Sequence, residues 1–129
     1  MSEKTKPVIL VVEDNDDNRQ LVLKVLGRRG YEVIGVVDGN EALERLNNIK
    51  PDLILMDINL PGMDGYEVTR RIRLQGKFAA LPIVALTAHA MVGDKEKSLH
   101  AGCDAYISKP INVRTFPATI AAILKEHQP

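Results

Sequence analysis

Aliphatic strand patterns and helical patterns alternate five times along this sequence, and this alternation restricts the fold more than any other feature. The first strand pattern is the unbroken run VILVV at residues 8–12, which is typical of a strand buried on both faces. Further strand patterns follow at residues 33–37, 53–56, 83–86 and 105–107. Because parallel neighbours need crossover connections, the alternation predicts an α/β fold: a doubly wound, mostly parallel five-stranded sheet with helices on both faces.

Each strand pattern is followed by apolar residues at helical spacing. These residues are Leu21, Val22, Val25 and Leu26, then Ala42, Leu43 and Leu46, then Val68 and Ile72, then Met91 and Leu99, and finally Phe116, Ile120, Ile123 and Leu124. Gly30 is expected to stop the first helix, and Asp64 is expected to cap the third. Pro117 removes a backbone donor within the last pattern, so that helix is expected to begin as late as Thr115.

The length and charge of the chain limit its function further. Its 129 residues fit one compact domain, and Lys+Arg and Asp+Glu both count 17, so the formal net charge is zero. A general electrostatic attraction to nucleic acid is therefore disfavoured. We interpret the arginine groups at residues 28–29 and 70–73 as solvated helix faces.

The cysteine content and the apolar runs indicate a cytoplasmic protein. Cys103 is the single cysteine, so no intramolecular disulfide can form, and we expect it to be a small buried hydrophobic residue. The longest apolar run, at residues 8–12, is too short to cross a bilayer or to serve as a signal peptide.

Polar residues follow four of the five strand patterns. They are Glu13 and Asp14 after the first, Asp57 after the third, Thr87 after the fourth and Lys109 after the fifth. The carboxyl ends of parallel strands lie along one edge of the sheet, where ligands bind at the crevice in which strand order reverses. The sequence therefore predicts that these side chains converge.

The charges of these residues suggest their chemistry. Carboxylates brought together in this way repel one another, by roughly 4 kcal/mol per pair at ~4 Å and an effective dielectric near 20. Oxygen ligands from Asp14, Asp57 and a nearby backbone carbonyl suit Mg²⁺ better than Zn²⁺, and Lys109 supplies a second positive charge. A carboxylate flanked by a divalent cation, an ammonium and a hydroxyl is suited to receive a phosphoryl group.

Four short segments together resemble the receiver domain of bacterial two-component response regulators. They are VVEDN at residues 11–15, LMDINLPGMDG at 55–65, ALTA at 85–88 and SKP at 108–110. The resemblance extends over about residues 8–124. The segment TAHAM at 87–91 looks most like single-domain regulators of cell-cycle or developmental phosphorelays, and like receivers inside hybrid histidine kinases.

The resemblance implies a flavodoxin-like fold with strand order 2-1-3-4-5 and phosphorylation of Asp57 by a histidine kinase or a histidine phosphotransfer protein. It also implies a Mg²⁺ site. In that site Asp14, Asp57 and the Asn59 carbonyl bind the ion directly, and Glu13 acts through water.

Further residue roles follow from the same resemblance. Lys109 and Thr87 would contact the phosphoryl oxygens, helped by the backbone of Ile58 and Ala88, and the Lys109–Pro110 peptide would be cis. Tyr106 would swing inward as Thr87 moves toward the phosphoryl group. The side chains of Asn59 and His89 would flank the water that hydrolyses the acyl phosphate.

Two other functional classes share parts of this pattern. A phosphatase or transferase of the haloacid dehalogenase type also uses a strand-end Asp and Mg²⁺, but its second, proton-carrying Asp is replaced here by Asn59. A flavodoxin-like electron carrier would need aromatic partners for its flavin, and aromatic residues make up only 4% of the chain. The three histidines form no cluster that would favour a phosphotransfer role for them.

The ends of the chain favour a free-standing regulator, a single receiver domain over residues 1–129 without an output domain. Met1 and the short segment after Leu124 support this expectation. We therefore expect no enzymatic activity beyond the protein's own phosphorylation and dephosphorylation. The signal is expected to reach a downstream protein through the face formed by the fourth helix, fifth strand and fifth helix, without direct contact with nucleic acid or membrane.

Overall fold

Strands and helices alternate in the computed structural model, which describes residues 6–87 and 94–127. Its strands are β1 (Val8–Val12), β2 (Glu32–Val36), β3 (Leu53–Asp57), β4 (Ile83–Thr87) and β5 (Ala105–Ser108). Its helices are α1 (Asp16–Gly27), α2 (Gly39–Arg45), α3 (Gly65–Leu74), α4 (Asp94–Ala101) and α5 (Phe116–Glu126), with a 3₁₀ turn at Gly76–Phe78. The predicted order of elements is confirmed.

The five strands form one parallel sheet in the order β2-β1-β3-β4-β5. This confirms the predicted doubly wound, flavodoxin-like fold. The chain winds outward in one direction from β1 to β2 and in the other from β3 to β5. The crevice between the carboxyl ends of β1 and β3 is therefore the expected ligand site.

The sheet separates two hydrophobic cores, one on each face. Alternate residues of β1 point to opposite faces, with Leu10 and Val12 in one core and Ile9 and Val11 in the other. The first core packs against α2 and α3, and the second packs against α1 and α5. All four of these β1 side chains are fully buried, as expected for a central parallel strand.

Side-chain caps begin three of the helices. Asn15, Asp38 and Asp64 each accept a backbone N–H from the first turn of α1, α2 and α3, which confirms the cap predicted at Asp64. The end of α1 differs from the prediction, because the helix stops at Gly27. Gly30 lies beyond it in a turn, with a positive φ of 91°.

Pro117 is compatible with helix α5 because of its position. The helix begins at Phe116 with Thr115 as its N-terminal cap, so Pro117 falls in the first turn, where its missing N–H would have had no partner within the helix. The late start of this helix is confirmed. The Lys109–Pro110 peptide that precedes it is cis, as the resemblance implied.

Arg73 corrects our interpretation of the arginine groups. Arg70 and Arg71 are exposed and pair with Glu67, but only 18% of the Arg73 side chain is exposed. Its guanidinium donates to the carbonyl oxygens of Phe78, Ala79, Leu81 and Gly102 and to the carboxylate of Asp104. Arg73 therefore links α3 to the starts of β4 and β5, a role that helical spacing cannot distinguish from solvent exposure.

Other expectations have mixed outcomes. Cys103 is buried, as predicted, whereas Leu99 in α4 is exposed and Met91 lies outside the described residues.

Within residues 6–87 and 94–127, no helix has the length and apolarity needed to span a bilayer.

Candidate functional site

Three carboxylates converge at the crevice between β1 and β3. Glu13 and Asp14 directly follow β1, Asp57 ends β3, and one carboxylate oxygen from each lies within 4.8 Å of the others. Glu13 and Asp57 are buried, whereas Asp14 is exposed at the mouth of the site. Adjacent pairing of β1 and β3 creates this cluster from residues far apart in sequence.

Lys109 supplies positive charge inside the cluster. Its Nζ lies 2.8 Å from Glu13 Oε1 and 3.1 Å from Asp57 Oδ2, and the side chain is 16% exposed. Burial alone would lower the pKa of this ammonium, but the carboxylates of Glu13 and Asp57 outweigh burial and raise it. Lys109 is therefore a permanent cation at the site.

The environment of Glu13 disfavours the charged form of its carboxylate. Burial, followed by the neighbouring Asp57 carboxylate, raises the pKa of Glu13 despite the opposing effect of Lys109. Its Oε2 accepts the backbone N–H of Asn15 at 3.1 Å, and its buried Oε1 forms an ion pair with the Lys109 ammonium at 2.8 Å. Three carboxylates that face one ammonium keep a net negative charge, and their oxygens are the ligands that a hard cation prefers, so the residues present fit Mg²⁺.

The backbone around Asp57 fixes the orientation of its carboxylate. The N–H of Asn59 donates to Asp57 Oδ1 at 3.0 Å, while the N–H of Ile58 donates to the carbonyl of Leu86 at 3.0 Å. The Ile58 amide is thus engaged in the sheet. Its predicted contact with a phosphoryl group stays a prediction.

Thr87 lies on β4, which pairs with the strand that carries Asp57, and Tyr106 lies on β5, the strand beyond it. Thr87 ends β4 and is buried, and its carbonyl oxygen accepts the backbone N–H of Lys109 at 2.7 Å. Tyr106 on β5 pairs with Ala85 and is half-buried against the core that contains α2 and α3. Ala88 and His89, with their predicted roles, lie outside the described residues.

The sequence interpretation missed two residues that shape the site. A Cβ on Gly65 would lie 2.3 Å from the carbonyl oxygen of Asp57, so α3 can begin this close to the site only at a glycine. Arg19 donates to the carbonyl oxygen of Glu13 at 3.0 Å. An arginine on a helix carries no sequence signal for such a contact.

Comparison with known proteins identifies the family. The model of the response regulator receiver domain matches residues 9–121, most of the chain. The chain belongs to the response regulator receiver family. This receiver is also 44% identical over 116 residues to the polar-differentiation response regulator DivK of Brucella anthropi, covering 90% of this chain and 94% of that protein.

Solved structures agree with this assignment. The chemotaxis response regulator CheY4 of Vibrio cholerae superposes with a TM-score of 0.88 at 32% identity, covering 92% of this receiver and 99% of that chain. The receiver domain of the sensor histidine kinase PA1611 from Pseudomonas aeruginosa superposes with a TM-score of 0.81 at 40% identity, covering 94% of this receiver and 96% of that chain. The latter structure has a magnesium ion coordinated in its active site cleft.

Family membership decides between the functional classes that the sequence left open. The receiver is a phosphorylation-regulated signalling protein whose partner is a histidine kinase, and its only catalysis concerns its own phosphorylation. The phosphatase and electron-carrier alternatives are not supported. Its acidic triad is of the kind typical of a Mg²⁺ site.

Proposed function

We propose that Asp57 accepts a phosphoryl group from a histidine kinase or a histidine phosphotransfer protein. The observation that carries this proposal is the position of the Lys109 ammonium, which lies within 3.1 Å of both the Glu13 and the Asp57 carboxylates. In the transfer, a carboxylate oxygen of Asp57 bonds to phosphorus as the nitrogen–phosphorus bond of the donor phosphohistidine breaks. Lys109 and the Thr87 hydroxyl then contact the phosphoryl oxygens, with backbone support from Ala88.

Mg²⁺ is the proposed cofactor, held by Asp14, Asp57 and the Asn59 carbonyl directly and by Glu13 through water. When bound, the ion supplies charge neutralisation for the phosphoryl oxygens. The close approach of three carboxylates, which the one ammonium of Lys109 neutralises only in part, supports this assignment.

A cavity beside Lys109 offers space for the approaching donor. It has a volume of about 450 Å³ and is lined by Asn18 and Leu21 of α1 and by Lys109, Pro110 and Ile111. Leu21 is an exposed apolar side chain, which a protein partner would cover. We place the proposed encounter in the cytoplasm, where no membrane or nucleic acid contact is required.

A mass measurement tests the phosphoacceptor. Incubation with acetyl phosphate and Mg²⁺ should add one base-labile phosphoryl mass to the wild type and none to Asp57→Asn. Asp64→Asn is the matched control, because it changes a nearby exposed carboxylate while keeping a side chain that can cap α3. Equal labelling of Asp57→Asn and wild type would falsify the assignment.

We further propose that phosphorylation alters the surface formed by α4, β5 and α5, and that a downstream protein reads this surface. Thr87 and Tyr106 would carry the change, since they lie on the neighbouring strands β4 and β5. Beryllium fluoride, a phosphoryl mimic, should shift the amide resonances of Tyr106 and Ile111 as well as those at the site. Shifts limited to residues that touch the mimic would rule out this route.

A further inference from the structure

Arg19 contacts the segment that carries the acidic pair. This residue of α1 donates from Nη1 to the carbonyl oxygen of Glu13 at 3.0 Å, and its Nη2 pairs with the carboxylate of Asp16. Only 15% of its side chain is exposed, although it belongs to the first turns of a surface helix. Two points of the β1–α1 connection are thus held by one guanidinium.

Strand β2 provides the space for the Arg19 side chain. Gly35 lies on β2, and a Cβ added there would be 3.1 Å from Arg19 Cδ and 3.2 Å from Cγ. These distances are shorter than ordinary van der Waals contact, so the aliphatic part of Arg19 lies against the glycine backbone. The missing side chain at Gly35 allows the guanidinium to reach Glu13.

The bond to the Glu13 carbonyl constrains the residue that follows. This carbonyl belongs to the peptide bond between Glu13 and Asp14, and a peptide unit is planar. The Glu13 N–H is bonded to the Val36 carbonyl at 3.0 Å, so the chain is already anchored on its β1 side. Fixing the Glu13 carbonyl as well sets the plane from which Asp14 projects.

We propose that Arg19 is a positioning residue for the cation site, acting through the Glu13–Asp14 peptide without touching the ion. The inference rests on the proposed function, in which Asp14 and Glu13 hold Mg²⁺. Arg19 itself is positively charged, so its electric field opposes the binding of a cation. A positioning role and a purely electrostatic role therefore predict opposite effects when the charge is removed.

The test compares Mg²⁺ dissociation constants measured by isothermal titration calorimetry. Arg19→Gln should weaken binding by about tenfold, in the range found when a residue that orients a metal ligand is lost. Arg19→Lys should also weaken binding, by about threefold, because an ammonium keeps the charge but cannot span Glu13 and Asp16 as the planar guanidinium does.

Gly35→Ala provides an independent test that changes no charge. Its Cβ should displace the aliphatic part of Arg19 and weaken Mg²⁺ binding by about twofold to threefold. Arg71→Gln is the matched control, since Arg71 is exposed and pairs with Glu67 within α3 and not with the carboxylate triad. The Mg²⁺ dissociation constant of this variant should equal that of the wild type.

The outcomes separate this inference from the proposed function. Tighter or unchanged binding in Arg19→Gln, with unchanged binding in Gly35→Ala, would overturn the positioning role. Failure of the wild type to bind millimolar Mg²⁺ would instead overturn the proposed cation site. Circular dichroism melts verify folding, and if Arg19→Gln fails to fold, Arg19→Lys and Gly35→Ala decide the question alone.

Discussion

At the scale of single residues, the charge balance of the site determines what it can hold. Three carboxylates face one ammonium, so the cluster keeps a negative formal charge even after Lys109 is counted. Burial, followed by the neighbouring Asp57 carboxylate, raises the pKa of Glu13 within this cluster. A divalent cation offsets the remaining charge, and a monovalent one would do so only in part.

Asn59 and His89, which the family resemblance assigns to the path of the hydrolytic water, should tune the lifetime of the phosphorylated form. Asn59→Ala removes an amide able to orient the hydrolytic water, so decay should slow. If His89 has the role that the resemblance implies, His89→Ala removes a bulky group from the path of this water, so decay should accelerate. Each change should stay within about tenfold, or about 1.4 kcal/mol in barrier height, because neither side chain is an obligate base. Phosphoryl decay rates between pH 6 and 8 check this, and wild-type rates in both variants would place control of the lifetime elsewhere.

Cys103 should make folding stability sensitive to alkaline pH. Burial raises the pKa of its thiol from 9.0 to about 11. A group whose pKa is higher in the folded state contributes stability below its unfolded pKa, and that contribution is lost as pH rises from 9 through 11. Over this pH interval the free energy of unfolding of the wild type should therefore fall by about 2 kcal/mol more than that of Cys103→Ala.

Urea unfolding at pH 8 and pH 11 measures the difference in the free energy of unfolding between wild type and Cys103→Ala. The comparison cancels the titration of lysines and tyrosines, which both proteins share. A difference that does not change with pH would show that the thiol ionises normally in the folded state.

At the scale of elements, the approach of α3 to β3 depends on one missing side chain. Gly65→Ala would place a Cβ 2.3 Å from the Asp57 carbonyl oxygen, a contact with rigid backbone. We expect a loss of about 2 kcal/mol or more in the free energy of unfolding, together with slower phosphorylation because Asp57 is displaced. Gly76→Ala is the matched control, since no atom lies within 4 Å of its added Cβ. Similar denaturation midpoints for the two variants would contradict the packing argument.

The elements also show which parts of the structure are predictable from sequence. Strand β1 and the Asp64 cap of α3 follow from local chemistry, an unbroken aliphatic run and an acceptor side chain before a helix. The convergence of Asp14 and Asp57 follows from one topological rule about parallel sheets.

Long-range polar contacts were not predictable in the same way. Arg73 and Arg19 have the spacing of surface residues, yet each reaches carbonyl oxygens of other segments. The helical pattern specifies which side of a helix faces the core, but it does not specify where a long side chain ends. The close contact at Gly65 depends equally on tertiary packing, which a turn residue in the sequence does not reveal.

At the scale of the whole molecule, Mg²⁺ should stabilise the fold, because it binds an arrangement that the unfolded chain lacks. At a concentration ten times its dissociation constant, a ligand specific for the folded state contributes about 1.4 kcal/mol. For a domain of this size, this corresponds to a rise of about 3–6 °C in Tm. Thermal melts in Mg²⁺ and in excess chelator measure the rise.

Two variants test whether the rise in Tm depends on the carboxylate triad. Asp14→Asn should abolish most of the rise, whereas Asp64→Asn should preserve it, because Asp64 caps α3 outside the triad. An unchanged Tm in millimolar Mg²⁺ for the wild type would count strongly against a cation site.

The distribution of the site along the chain has a consequence for synthesis on the ribosome. Glu13 and Asp14 emerge early, but Lys109 follows β5, which lies at the opposite edge of the sheet from β2. A nascent chain that lacks Lys109 can pair β1 with β3 and gather the three carboxylates, but it has no ammonium at the site. If the proposed role of Lys109 holds, an incomplete chain cannot accept a phosphoryl group until translation has passed β5 and residue 109.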